Sequence, residues 1–554
     1  MASPADQVVA APSSEDGAEL GVPRRPAGDT GGRGLRVGSL ALAAVFALPL
    51  LFLVQQSWTL GTPVVEALTD TSNLAPLGRS LLLGTSVALT TSVLGTACAW
   101  LVARTDLPGA KAWGILLALP LVLPSYIGAF TIQAALAPGG LTDEVLGLSL
   151  PAVEGFWAAL AILTLLTYPY VFLLVVARLR QLPANLEESA RLLGKSPAAI
   201  FRRVVLPQVT PAILAGALLV FLYAVSDFGL PQLLRYDTLT RVIFGNLLDR
   251  PVSSAFALQL GVLALLTAAL ERAATTRLRG LDRQSAVRGR TGLRWTMGRR
   301  RPLGLLFVAG VTVASLVGPL VVLVYWAVRG LSAGSTRASS VLSDPAQLLS
   351  PLLGSATAGI LAAVVAAVVV LPIAFLTVRR RGRAADAANG LVITGFALPG
   401  LIIALSLSFF VLRGPGVVAS LYQTLPLLVI AYVVHFGAQS LRASQVGVEA
   451  LPDSVVEAAR TLGAGRLRRL LRVELPMMLP SVLAGGGLVL LSTLKELPAT
   501  LLLSPPGFRA LATDVWAATQ DAFWAEASIV ALVLVLLSGV LTWLLVLRRT
   551  DALA

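Results

Sequence analysis

Cysteine and histidine are nearly missing: the 554-residue chain has one of each, Cys98 and His435. One thiol makes no disulfide framework, and with one imidazole it builds neither a zinc cage nor a thiolate cluster. No set of nucleophile, base and metal ligands accompanies the lone histidine, so a membrane enzyme has little to work with, and His435 reads as a hydrogen bonder in helix packing. Charge is also scarce, at 13% of residues, where soluble domains carry about 25%. With 56% hydrophobic residues, the composition excludes a soluble globular fold. It fits repeated bilayer crossing at about 20 apolar residues per helix. Residues 1–37 have no apolar core of a signal peptide. They mix Glu15, Asp16 and Glu19 with Arg24, Arg25 and Arg33 among Pro, Gly and Ala, and read as a disordered tail.

What charge there is falls between apolar windows. Six windows predict helices near 38–57, 79–103, 112–136, 153–178, 211–230 and 255–272. Six more lie near 303–328, 354–378, 388–412, 417–440, 480–503 and 527–547. With the N-terminus inside, every second loop is basic, as the positive-inside rule requires. Arg104 and Lys111 mark one such loop, Arg178 to Arg203 a second, Arg379 to Arg383 a third and Arg460 to Arg472 a fourth. Arg548 and Arg549 close the chain on the same side. Glu66, Asp70, Asp143, Glu144 and Asp521 fall opposite. The net charge of +14 is therefore a signature of orientation and gives no reason to invoke nucleic acid. The stretch 273–302 carries nine arginines against one acid, Asp282, and reads as a basic cytoplasmic linker between spans six and seven. The expected fold is an all-α, multi-pass protein of the cell membrane, with both termini cytoplasmic.

One polar passage occurs twice, 269 residues apart. Leu182–Gly216 reads LPANLEESARLLGKSPAAIFRRVVLPQVTPAILAG, and Leu451–Gly485 reads LPDSVVEAARTLGAGRLRRLLRVELPMMLPSVLAG. Without a gap, 15 of 35 positions are identical. The spans starting at Ser80 and Ser355 correspond as well, as do Leu123-Pro124 and Leu398-Pro399. An even number of spans per half gives both copies the same orientation, hence a parallel repeat about an axis along the membrane normal. The domains expected are a tail (1–37), a six-helix half (38–272), the linker (273–302), a second six-helix half (303–547) and a cytoplasmic end (548–554). Within each copy, acids early in a short run favour a helix N-terminus, and Gly194 or Gly463 suits its left-handed end. A helix lying on anionic lipid would also look like this.

The order Glu-Ala-Ala, three residues, Gly, then about a dozen residues to Leu-Pro resembles the "EAA" loop of ABC importer permeases. The second copy reads Glu457-Ala458-Ala459, Gly463, Leu475-Pro476. The first reads Glu188-Ser189-Ala190, Gly194, Leu206-Pro207, with a serine in place of one alanine. The resemblance implies the type I importer permease fold, with each loop docking on one of two copies of an ATP-hydrolysing subunit. It also implies an external substrate-binding protein on the opposite side of the bilayer. Leu193-Gly194-Lys195-Ser196 imitates the end of a phosphate-binding loop, but position 189 is Ser where that motif needs Gly, and no strand precedes it. The chain is thus expected to bind no cofactor and catalyse nothing itself, with ATP and magnesium on the partner ATPase.

Asp227 and Glu496 stand at the same 269-residue offset, where an intramembrane ionisable group lines a pathway or pairs with a neighbour. Lys495 is the nearest cation to Glu496, and all three are candidates for the translocation path; no metal ligands are assigned. Lys495-Glu496-Leu497-Pro498-Ala499-Thr500, with Gly507-Phe508, Leu511-Ala512-Thr513 and Trp516, resembles ferric-iron ABC permeases. Asp227-Phe228-Gly229 with Asp237-Thr238-Leu239-Thr240 does so too. Permeases for thiamine, polyamines or oxyanions share the loop and remain alternatives. An ion-gradient-driven transporter of twelve spans is the reading from another class.

Overall fold

A computed structural model describes residues 31–148, 150–182, 184–284, 295–332, 344–380 and 382–544. The N-terminal 30 residues, most of the arginine-rich middle of the linker, and Arg548 and Arg549 lie outside the described residues. Among those described the fold is helical throughout, without a strand. Nine straight helices are long and apolar enough to cross a membrane, and three further pairs qualify as single bent spans. The bent pairs are Gly34–Val45 with Leu48–Leu60, Ala110–Val122 with Ser125–Val145, and Arg383–Ala397 with Gly400–Arg413.

The second and third of these pairs do cross. Thr71–Arg104 ends on the basic face, and Gly155–Gln181 returns to that face at the repeated loop, so the intervening pair must reach the other side. The same holds between Ala346–Arg379 and Leu425–Glu449. Nine helices and these two pairs make eleven spans among the described residues, and the first pair, counted as one bent span, brings the candidates to twelve, in the order of the twelve windows. The third and ninth are not straight, however: they bend by 92° and 104° at Leu123-Pro124 and Leu398-Pro399. A residue before proline is pushed out of the helical region. Leu123 (ψ 120°) and Leu398 (ψ 134°) are accordingly extended, and the helix restarts immediately after each proline.

Several boundaries move for local reasons. The first helix starts at Gly31, inside the stretch read as a tail, because Leu35 and Val37 extend its apolar run. The sixth span runs to Gln284, and the seventh starts at Arg301, so the linker is partly helical. The fifth and eleventh spans begin early, within the repeated passage, each through a widened π turn: Phe201–Val205 and Leu470–Glu474. Each turn stands ahead of a Leu-Pro whose ring would strike the carbonyl of an ordinary α turn. Both spans also stop sooner than expected, at Ser226 and Leu494, and short helices follow at Gly229–Leu233 and Pro498–Leu503.

The two halves interlock. The first span packs on the second half: Phe46, fully buried, wedges against Gly395 and Gly437, where an added Cβ would come within 3.1 Å and 2.6 Å of it. The seventh span packs in the opposite sense on the first half, and the Trp326 Nε1 donates to the Ala134 carbonyl at 2.9 Å. The sixth span (Arg250–Gln284) joins a core with Leu401, Ile402 and Leu405 of the second half.

Glycine sets the closest helix approaches at equivalent places. A Cβ on Gly216 would lie 2.8 Å from the Val171 Cα, and one on Gly485 would lie 2.8 Å from the Ala443 Cβ. In lipid, where tails are as apolar as the side chains, such close backbone packing drives association. Gly485→Leu should therefore lower thermal stability in detergent by about 1–3 kcal/mol through overpacking. Gly310→Ala, where nothing lies within 4 Å, should not destabilise.

Candidate functional site

Both repeated loops fold as their sequence suggests. Short helices span Ala184–Leu192 and Asp453–Thr461. Gly194 (φ +72°) and Gly463 (φ +77°) end them in the left-handed region, which a side chain rarely adopts. The closing hydrogen bonds coincide: Lys195 N–H donates to the Ala190 carbonyl at 3.2 Å, and Ala464 N–H to Ala459 at 3.0 Å. Glu188, Ser189, Glu457 and Ala458 are exposed, whereas Ala459 is buried. Leu206-Pro207 and Leu475-Pro476 open the fifth and eleventh spans just past the π turns.

Two residues that motif reading passed over complete the surface. Leu193 is 76% exposed and Leu462, its equivalent, 87% exposed. A leucine left bare at the same point of both copies is an uncovered apolar contact beside small side chains. Identity at both offsets was the signal available for it.

The loops are anchored differently. Under the first, Glu187 and Arg104 form an ion pair at 3.0 Å with both side chains 2% exposed. The groups face each other as charges without an aligned hydrogen bond. Burial pushes the Glu187 carboxyl above its ordinary range, opposed by Arg104 and the indole of Trp295. Val456 replaces Glu187 in the second copy. There Arg379 instead pairs with Asp453 at the surface and donates to the Leu451 carbonyl at 2.9 Å.

At the centre lies a cavity of about 320 Å³ lined by both halves. The first half contributes Ser125, Tyr126, Tyr170, Tyr223 and Asp227; the second contributes Gly400, His435, Gln439, Lys495 and Glu496. Asp227 and Glu496 do the same structural work. Asp227 Oδ1 accepts from the Leu230 N–H at 3.1 Å, and Glu496 Oε1 accepts from the equivalent Ala499 N–H at 3.0 Å. Each carboxylate thus caps the short helix that follows its span.

Their second oxygens differ. Glu496 Oε2 accepts from the Thr500 N–H and hydroxyl, both at 3.1 Å, whereas Asp227 Oδ2 is buried without a partner. Lys495 does not pair with Glu496; its ammonium crosses to the first half and donates to the Leu121 carbonyl at 2.9 Å. Both residues lie past the end of the eleventh span at Leu494, in the turn before Pro498–Leu503, and that turn sends their side chains to different partners. The histidine is in the wall as well, beside Gly400, where a Cβ would meet Glu496 Oε1 at 2.5 Å and the imidazole at 3.0 Å. Its Nδ1 is buried without a partner, where a packing hydrogen bond was expected.

The segments that follow the two short helices hang from serines inside the second and eighth spans. Ser80 Oγ accepts the Leu239 N–H and Ser355 Oγ accepts the Leu511 N–H, each at 2.8 Å.

A known protein family matches the sequence of both halves. The model of the binding-protein-dependent transport system inner membrane component family matches residues 92–280 and again 355–548. An Fe(3+)-transport system permease protein, FbpB 2 of Haemophilus influenzae, is 30% identical over 508 residues, covering 90% of this chain and 95% of its own. The sulfate transport system permease protein CysT of Salmonella typhimurium is 30% identical over 195 residues, 34% of this chain and 69% of its own. A probable molybdenum ABC transporter permease protein of Haloferax volcanii is 26% identical over 43% of this chain and 86% of its own. Matched twice by the family model and end to end by one relative, the chain belongs to the binding-protein-dependent transport system inner membrane components.

Proposed function

We propose that the chain is the transmembrane permease subunit of an ATP-driven importer for ferric iron, delivered by an external binding protein. The observation that carries the cargo is the match over 90% of the chain to an Fe(3+)-transport permease, whereas the sulfate relative matches about a third of it. The cavity agrees in its chemistry. A hard trivalent cation prefers oxygen donors, and two carboxylates, three phenols and Ser125 surround the space. Asp227 Oδ2 has no protein partner to give up. Few charged ligands make a weak site, which suits a path that must release its cargo.

In this reading the basic face is cytoplasmic, with both termini there. Glu188, Ser189, Ala190 and Gly194 on one loop, and Glu457, Ala458, Ala459 and Gly463 on the other, each meet one copy of an ATPase that carries ATP and magnesium. Leu193 and Leu462 enter its grooves. Leu206-Pro207 and Leu475-Pro476 pass the motion on to the fifth and eleventh spans, which end at Asp227 and Glu496 in the cavity wall. The chain itself catalyses nothing.

An oxyanion cargo is the second reading, favoured by the Lys495 ammonium in the same wall and by the sulfate and molybdenum relatives. The two separate cleanly. Asp227→Asn with Glu496→Gln keeps an accepting oxygen for each helix cap and removes the charge; it should cut uptake of labelled ferric iron at least tenfold in proteoliposomes. Lys495→Met should spare iron uptake, whereas an oxyanion importer would lose transport with Lys495 and tolerate the amides. Glu457→Ala combined with Gly463→Leu should reduce uptake to background while the amount of protein in the membrane stays unchanged. Undiminished uptake in that double variant would remove the role of the loops.

A further inference from the structure

The linker between the halves does more than join them. Its far end lies along the basic-face turn that follows the second span: Trp295 N–H donates to the Arg104 carbonyl at 2.8 Å, and Asp106 N–H donates to the Trp295 carbonyl at 3.2 Å. Asp106 then takes the Met297 N–H at 2.8 Å and Arg301 Nε at 3.0 Å, which fixes the first turn of the seventh span. The Arg301 guanidinium and the Met297 N–H hold the Asp106 carboxyl below its usual range, so this tie is ionic at neutral pH.

The same tryptophan reaches the first loop. The Arg191 guanidinium sits 5.2 Å from the Trp295 ring centroid, within cation–π range. Glu187, on that loop helix, is buried against Arg104, whose carbonyl Trp295 holds. The second loop is built otherwise, with Val456 in place of Glu187 and a surface pair, Asp453 being 69% exposed.

We propose that Trp295, acting through Arg104, Glu187 and Arg191, is a positioning residue that clamps the first loop to the start of the seventh span. The inference rests on the reading that the loops receive the ATPase stroke. Movement of the first loop then pulls on two elements at once: its own fifth span and, through Trp295 and Asp106, the seventh span, which packs on the first half. The second loop moves with more freedom.

Two experiments test this on the full chain. In proteoliposomes with the ATPase and binding protein, Trp295→Ala should lower cargo transported per ATP hydrolysed at least fivefold, and Trp295→Phe, which keeps a ring under Arg191, should restore most of it. A purely structural tryptophan would change yield and thermal stability but leave that ratio in place. If Glu457→Ala with Gly463→Leu abolishes uptake while Trp295→Ala keeps the parent ratio, the clamp is refuted and the loop reading survives; if neither variant matters, both fall. Independently of transport, spin labels on Leu193→Cys and Leu462→Cys, each in a Cys98→Ala background, report loop mobility. The label at 193 should be the more restricted, and Trp295→Ala should make the two alike. Equal mobility in the parent chain would overturn the proposal.

Discussion

Inside a bilayer, every backbone group that leaves a helix must find a partner in the protein itself. This chain leaves its helices repeatedly at membrane depth, at Leu123-Pro124, at Asp227-Phe228, at Leu398-Pro399 and at Glu496-Leu497, and the architecture is arranged around settling those accounts. Asp227 and Glu496 take the free donors of the short helices after them, and Ser80 and Ser355 take those of the next. Lys495 takes a carbonyl released near the bend of the third span, at Leu121. Leu123-Pro124, Asp227-Phe228, Leu398 and Glu496-Leu497 all line the same cavity, where these polar side chains converge.

Holding the wall together in this way ties the halves to each other. The Lys495 bond crosses between them, the ring of Phe228 from the first half lies 5.5 Å from that of Trp516 in the second, and an added Cβ on Gly229 would come within 3.3 Å of Leu497. The outer spans reinforce the tie by exchange. The helices between either loop and the cavity wall are close-packed, with few voids to absorb a displacement.

Much of this was legible in the sequence because bilayer crossing leaves a coarse, length-dependent signal. Each of the twelve windows falls on a candidate span, nine on single helices and three on bent pairs, and the 269-residue offset paired elements down to a π turn, a left-handed glycine and a helix cap. Local chemistry also placed the breaks, since a residue before proline and a left-handed glycine act on their own neighbours. The exchange of first and seventh spans was not legible, because an apolar stripe says that a face is covered and is silent about what covers it. Glu187 looked like a helix-start acid until its partner, 83 positions away, appeared beside it. Lys495 and Glu496 invited pairing by adjacency, and the turn between the eleventh span and the short helix after it sends them to different partners. The proposed cargo rests on likeness, because oxygen donors around a cavity suit more than one hard cation.

The exchanged first span sets a problem of timing. Phe46 enters the bilayer early in synthesis, yet the glycines that receive it, Gly395 and Gly437, emerge about 350 and 390 residues later. At ordinary rates of chain elongation, about 5–20 residues per second, that is a wait of roughly 20–80 s. During it the first helix stands in lipid with its packing face open. A fused chain bounds the delay, because the missing partner always arrives on the same polypeptide and at the same place in the membrane.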